Sequence, residues 1–134
     1  MRRVVLDSNV FVSAFAMPQG IMGRIIDEWE DEQFVSVVSE YIVTEVRRVL
    51  EEKFKLPANV VRPRISALYA LGEMVEPALV RHAIIDEEDF PIMGTALAGA
   101  VDVIVTGDKK LLNVEQFHGI PIITPRQFLE SLEI

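Results

Sequence analysis

The stretch DEEDFPIMGTALAGAVDVIVTGDKKLL, residues 86–112, decides how this chain is read. It opens on a dense run of acid, passes through small apolar residues, becomes an all-apolar β-branched run, and stops on Thr106-Gly107-Asp108. Pro91 suits the first turn of a helix, which makes Asp89 a candidate N-cap. From Ile92 to Ala100 the side chains stay small and apolar, as a helix pressed closely on a sheet requires. Val103-Ile104-Val105 shows no alternation, the pattern of a strand buried on both faces in a parallel sheet. Gly107 offers a turn, and Asp108 falls just past the strand's carboxyl end, the edge at which open α/β sheets bind ligands. Asp89 and Asp108 are thereby directed to one rim.

Working outward, Arg3–Asp7 repeats the design: a short buried strand that ends on an acid, followed by Ser8 and Asn9 as turn or cap residues. Val10–Ala14 continues apolar until Pro18 and Gly20 break the pattern. Ile21–Trp29 has helical spacing, and its outer end, Asp27–Glu32, reads as a solvated acidic face. Phe34–Val38 is a second strand, and Ser39 is placed to cap a helix running to about Phe54 with Ile42, Val46, Val49 and Leu50 inward. Ala58–Leu71 is a further helix stopped by Gly72, Met74-Val75 a short strand, and residues 77–85 carry no readable pattern. Ile120–Ile123 and Pro125–Leu132 close the chain as a strand and a helix. Strands alternating with helices give a three-layer α/β/α sandwich around a central parallel sheet with right-handed crossovers, Rossmann-like in its class.

Length and composition set the outer bounds. The 134 residues suit one domain, 1–134, with half its residues hydrophobic and no sign of disorder. Thirteen basic residues against 21 acidic ones leave a net charge of −8, which disfavours a general nucleic-acid binder and is compatible with acids gathered around a cation and any basic surface being local. With no cysteine there is neither a disulfide framework nor a thiolate metal site, in keeping with a reducing, cytoplasmic setting. The apolar runs are too short to span a bilayer, so no membrane role is expected.

Three acids stand at comparable places: Asp7 and Asp108 after strands and Asp89 at the mouth of a helix, with Glu45 a fourth from a neighbouring helix. Singly, each has a plain reading. Asp7 and Asp89 serve as caps, Asp108 as a turn residue, and Glu45 as a solvated helix position. Together at one rim they would repel and take up protons unless a cation lay among them. One or two Mg²⁺ or Mn²⁺ ions, which prefer oxygen ligands, resolve that conflict and suit phosphodiester hydrolysis. Ser8, Asn9 and Thr106 supply supporting polar groups.

The segments VLDSNVFVSA at 5–14, SEYIVTEVRRVL at 39–50 and the opening stretch at 86–112 together resemble the PIN-domain family over essentially the whole chain. That family comprises small metal-dependent ribonucleases, many of them VapC-type toxins of toxin–antitoxin pairs. The resemblance implies a PIN-like fold and a catalytic, metal-holding set of Asp7, Glu45, Asp89 and Asp108, with Asn9, Ser8 and Thr106 in support. It also implies 5′-phosphate and 3′-hydroxyl products, an RNA substrate, a cognate antitoxin and a homodimer. Ser8 stands where the family usually has Thr, and Phe90 where a polar residue is common. The second departure leaves the third acid open between Asp89 and its neighbours Asp86 and Glu88.

Among the basic residues, Arg47, Arg48, Lys53, Lys55, Arg62 and Arg64 cluster in sequence, and Lys109 and Lys110 follow Asp108. Arg47, Arg48 and Lys109 are the candidate phosphate contacts, with ordinary surface charge balance as the alternative. His82, His118, Trp29 and Tyr41 read as structural. Three functions compete: a Mg²⁺/Mn²⁺-dependent endoribonuclease, a PIN-like RNA- or protein-binding module without catalysis, and a phospho-acceptor domain using Asp7. The last lacks the paired acid it would need beside Asp7-Ser8-Asn9.

Overall fold

The computed structural model describes residues 1–133, so Ile134, the last residue of the expected domain, lies outside the described residues. Its strands are β1 (Arg3–Leu6), β2 (Val35–Val38), β3 (Glu73–Met74), β4 (Val103–Val105), β5 (Gln116–Phe117) and β6 (Ile120–Ile123). They form one six-stranded sheet in the order β3-β2-β1-β4-β6-β5. All neighbours pair in parallel except β5, which runs antiparallel to β6. The sheet is therefore mostly parallel, as expected, with one hairpin at its edge that periodicity could not show in a two-residue strand.

The order of the strands fixes where a ligand can sit. From β1 the chain moves outward on one side to β2 and β3, then returns to lay β4 on the other side of β1. The β1/β4 boundary is thus the topological switch point, and a crevice opens there at the carboxyl ends of the strands. Val4, Val5 and Leu6 of β1 and Ile104 and Val105 of β4 are wholly buried, which accounts for their unalternating apolar sequence.

The helices are α1 (Ser8–Ala16), α2 (Ile21–Glu30), α3 (Glu40–Glu52), α4 (Ala58–Leu71), α5 (Phe90–Ala98), α6 (Lys109–Leu112) and α7 (Pro125–Leu132). Helix α1 was visible only as an apolar continuation of β1, because it is buried on most of its surface through Val10, Phe11, Val12 and Ala14 and so lacks a polar stripe. The third strand sits one residue earlier than expected, at Glu73–Met74. Helix α3 stops at Glu52, and α5 stops at Ala98 because Ala100 adopts a left-handed φ of 47°. Ser39 occupies the cap position of α3 without capping it; its buried hydroxyl lies 2.8 Å from Thr95 Oγ1, tying α3 to α5. Helix α7 carries a full capping box between Thr124 and Gln127.

Residues 75–89 have little regular structure. Ala78 donates its amide to the Gly94 carbonyl at 3.0 Å. The close approach is possible because residue 94 has no side chain: a Cβ there would lie 2.2 Å from the Ala78 oxygen. Ile85 is buried in the core, and Glu87–Asp89 form a single 3-10 turn leading into α5. No helix among the described residues is long and apolar enough to cross a membrane.

Candidate metal and nuclease site

Asp7 is the last rung of the β1/β4 ladder: its amide donates to the Val105 carbonyl at 2.9 Å while the chain turns into α1. Its carboxylate is buried and fully engaged. Oδ1 accepts from the Ser8 amide at 2.8 Å, with Ser8 Oγ at 3.4 Å, and Oδ2 accepts from Thr106 Oγ1 at 2.7 Å. Thr106, buried at the end of β4, accepts in turn from the Asp108 amide at 3.0 Å. One hydroxyl thus couples the acids at the ends of two adjacent strands. Asp108 then caps α6 by accepting from the Lys110 amide at 2.9 Å. Gly107 takes no left-handed φ, so the turn rests on these side-chain bonds rather than on glycine's freedom.

These groups open onto one polar pocket lined by Asp7, Ser8, Asn9, Tyr41, Glu45, Arg48, Lys53, Glu88, Asp89, Ile92 and Asp108. All four acids expected from the sequence line it, as do Ser8 and Asn9, and Thr106 lies directly beneath Asp7. Glu45 reaches it from α3 and pairs with Arg48 one turn on, which also lies 3.5 Å from Glu52. Asp89 enters from the 3-10 turn. It does not cap α5: its backbone is already helical and its side chain bonds no amide of the first turn. Pro91 removes one of the amides a cap would have served, and the carboxyl of Asp89 turns to the pocket instead.

The third acid can be narrowed by position. Asp89 and Glu88 both line the pocket, whereas Asp86 lies outside it, 3.6 Å from Lys110 Nζ. Carboxylate oxygens of Asp86, Glu88 and Asp89 come within 4.8 Å of one another, the tightest acidic group among the described residues. The set drawn from four elements is more open, since Glu45 is pulled to Arg48, Asp7 to Thr106 and Asp108 to the Lys110 amide.

The electrostatics reflect burial first and gathered like charge second. Burial pushes the Asp7 carboxyl up, the Thr106 and Ser8 hydrogen bonds work against this, and the charge on Asp108 adds to it. Asp89 is pushed up to about 6, first by burial and then by the charges on Asp7, Asp108, Glu88 and Asp86. The Tyr41 phenol is raised by burial and by Glu45, Asp89, Asp7 and Glu88, so it stays protonated at neutral pH. Only Arg48 and Lys53 bring positive charge to the lining. An all-oxygen donor set with excess negative charge fits a hard divalent cation.

The basic cluster seen in sequence divides over three surfaces. Arg48 shares a face of α3 with Glu45 and Tyr41, at spacings of three and seven residues. Arg47 is turned away into a groove with Glu51, Arg62 and Tyr69. Arg64 stacks over Phe15, 5.8 Å from the ring centroid. Lys109 is exposed in the first turn of α6 and does not line the pocket. Tyr41, read from sequence as packing, does pack against the core, and it also lines the pocket; its place one helical turn before Glu45 was the available signal for the second.

A mostly parallel α/β sheet with carboxylates from separate elements gathered at its switch point defines an acid-rimmed α/β protein. The model of the PIN domain matches residues 3–110, and the chain belongs to the PIN domain family. It is 28% identical over 144 aligned positions to an uncharacterised protein of Methanocaldococcus jannaschii, covering 98% of this chain and 92% of that protein. Its fold is similar to a chain in the crystal structure of VapBC2 from Rickettsia felis bound to a DNA fragment from their promoter. That likeness has a TM-score of 0.61 at 12% identity, over 91% of this chain and 98% of the other.

Proposed function

We propose that the chain is a divalent-cation-dependent endoribonuclease, the toxin of a toxin–antitoxin pair, with residues 1–134 acting as one cytoplasmic nuclease domain. The observation that carries this reading is the convergence of Asp7, Asp108, Asp89 and Glu45 from four separate elements on one open pocket at the β1/β4 switch point. Membership of the PIN domain family supports it. Asp7, Asp89 and Asp108, with Glu45, would hold Mg²⁺ or Mn²⁺. Bound there, such an ion supplies Lewis acidity toward water and toward the phosphate oxygens.

The chain's own residues do the positioning. Thr106 fixes the Asp7 carboxylate and the Asp108 backbone relative to each other, so the two strand-end acids face the pocket at a set separation. Arg48 and Lys53 stand on the lining where a polynucleotide backbone would pass, and Lys109 stands just outside it. With a net charge of −8 the rest of the surface does not attract RNA, so substrate choice rests on a structured or docked RNA rather than on loose strands. An antitoxin segment would cover the acidic pocket, and a second copy of the chain would form the homodimer. The fold shared with the VapBC2 chain supports the antitoxin by analogy.

The test is cleavage of a panel of structured RNAs with Mg²⁺, Mn²⁺ or EDTA by the wild type, Asp7→Asn and Asp108→Asn. Cutting that needs metal and is lost in both variants, with circular dichroism unchanged, is the expected result. Cutting that survives both substitutions would sink the assignment. No cutting by any form, together with a metal-induced rise in melting temperature, would leave a binding module in place of an enzyme.

A further inference from the structure

Residues 86–89, Asp-Glu-Glu-Asp, are four consecutive acids, of which Glu88 and Asp89 line a pocket that already holds Asp7, Asp108 and Glu45. Such a segment is pushed outward by its own charge, yet it must present Asp89 at a fixed place. Its tethers to the body of the fold are few. Upstream, Ala78 bonds Gly94, the His82 ring lies against Phe117, and Val80 and Ile85 pack on the core. The Asp86–Lys110 pair is solvent-exposed at both ends and contributes little. The bonds from the Asp89 amide to Asp86 and from the Phe90 amide to Glu87 are internal to the turn. Between residues 79 and 89, one side-chain hydrogen bond among the described residues reaches another element: Tyr41 Oη donates to the Glu88 carbonyl at 3.1 Å.

We propose that Tyr41 is a positioning residue, which joins α3 to the 3-10 turn 87–89 and so sets the Asp89 carboxyl against Glu45 and the strand-end acids. The proposal rests on the reading of the pocket as a divalent-cation site. Tyr41 and Glu45 lie one helical turn apart on the same face of α3, and both line the pocket. The phenol therefore fixes the turn to the very helix that delivers the fourth acid. A neutral donor suits this place, since a lysine or arginine would compete with the cation for the same carboxylates. The raised phenol pKa agrees, because burial first and the surrounding acids second keep the proton on Oη.

Tyr41→Phe removes the hydroxyl and keeps the ring. The control is Tyr69→Phe, which removes a phenol of α4 that donates to Glu40 of α3 at 2.8 Å and does not line the pocket. Two quantities are read: amide hydrogen exchange at Asp89 and Phe90 in EDTA, and Mn²⁺ affinity by calorimetry. Tyr41→Phe is expected to speed exchange at these two amides about fivefold and to weaken Mn²⁺ binding about 10- to 100-fold. Tyr69→Phe should change neither. Unaltered exchange in Tyr41→Phe, or equal effects from Tyr69→Phe, would overturn the proposal. A wild type that binds no Mn²⁺ would overturn the nuclease reading instead, while the exchange comparison still decides whether Tyr41 holds the turn.

Discussion

The acids at the strand ends and the acids of residues 86–89 bring the same charge into one pocket, but the chain holds them in different ways. Asp7 is a rung of a parallel ladder, buried, with both carboxylate oxygens accepting hydrogen bonds, and it is joined through Thr106 to the backbone of Asp108. Asp89 sits on a single 3-10 turn with no side-chain bond to the rest of the fold, held by a neighbouring carbonyl and by the residues that pack before and after it. The first region is positioned by the sheet and the second by a small number of contacts. We call the first the rigid wall and the second, held by fewer bonds, the movable one. Cation binding would order the movable wall, which is where like charge is most concentrated.

The comparison breaks most sharply on the identity of the third acid. If the movable wall contributes Asp89 alone as a ligand, Asp89→Asn lowers the cleavage rate on the order of a thousandfold. Asp86→Asn, outside the pocket, then leaves the rate within about twofold. Equal losses in the two variants would mean that the exposed acidic group itself holds the ion. Next in size is the rigid wall. Thr106→Val strips the partner from Asp7 Oδ2 and from the Asp108 amide, and it is expected to cost about 1–3 kcal/mol in a urea-unfolding measurement. Because the Thr106 bond holds the Asp7 pKa down, the same variant should also lose metal to proton competition at a higher pH than the wild type does. An unchanged unfolding midpoint would show that Thr106 is not a strut.

The smallest effect concerns pH. The folded-state pKa of Asp89 is raised to about 6, above the ordinary aspartate value. Its favourable contribution to metal-free stability is therefore complete below the unfolded-state pKa, near 3.9, and is lost as pH rises through about 6. In EDTA at pH 7.5, Asp89→Asn should melt a few degrees above the wild type, and the gap should close by about pH 4. A variant that melts lower at pH 7.5 would show that Asp89 is paired with positive charge rather than crowded by negative charge.

How much of this was legible in the sequence follows the same division. Short β-branched runs ending on acid marked both strand-end positions, because a strand buried on both faces leaves an unalternating pattern and an open sheet binds ligands at that edge. The segment 77–89 left no periodicity, since it is held by single contacts such as Ala78 against Gly94 rather than by a repeating face. Asp89 was expected as a cap because Asp before Phe-Pro resembles one; the helical backbone already present at that residue overrides the local pattern. Tyr41 was read as a packing residue because a lone aromatic on an amphipathic helix gives no sign of what stands across from it. The basic residues clustered in sequence part in space for a geometric reason: adjacent positions such as Arg47 and Arg48 point about 100° apart on a helix.

The central claim is that the rigid and movable walls close on one cation. Paramagnetic Mn²⁺ added in small steps to the isotopically labelled protein tests it directly, through the broadening of backbone amide resonances. The account predicts that the amides of Ser8, Glu45, Asp89 and Lys109 broaden together at the same low Mn²⁺ ratio, and that Asp7→Asn abolishes the effect at all four. Broadening of the same amides that persists undiminished in Asp7→Asn would contradict it and reduce the site to an exposed patch of acid.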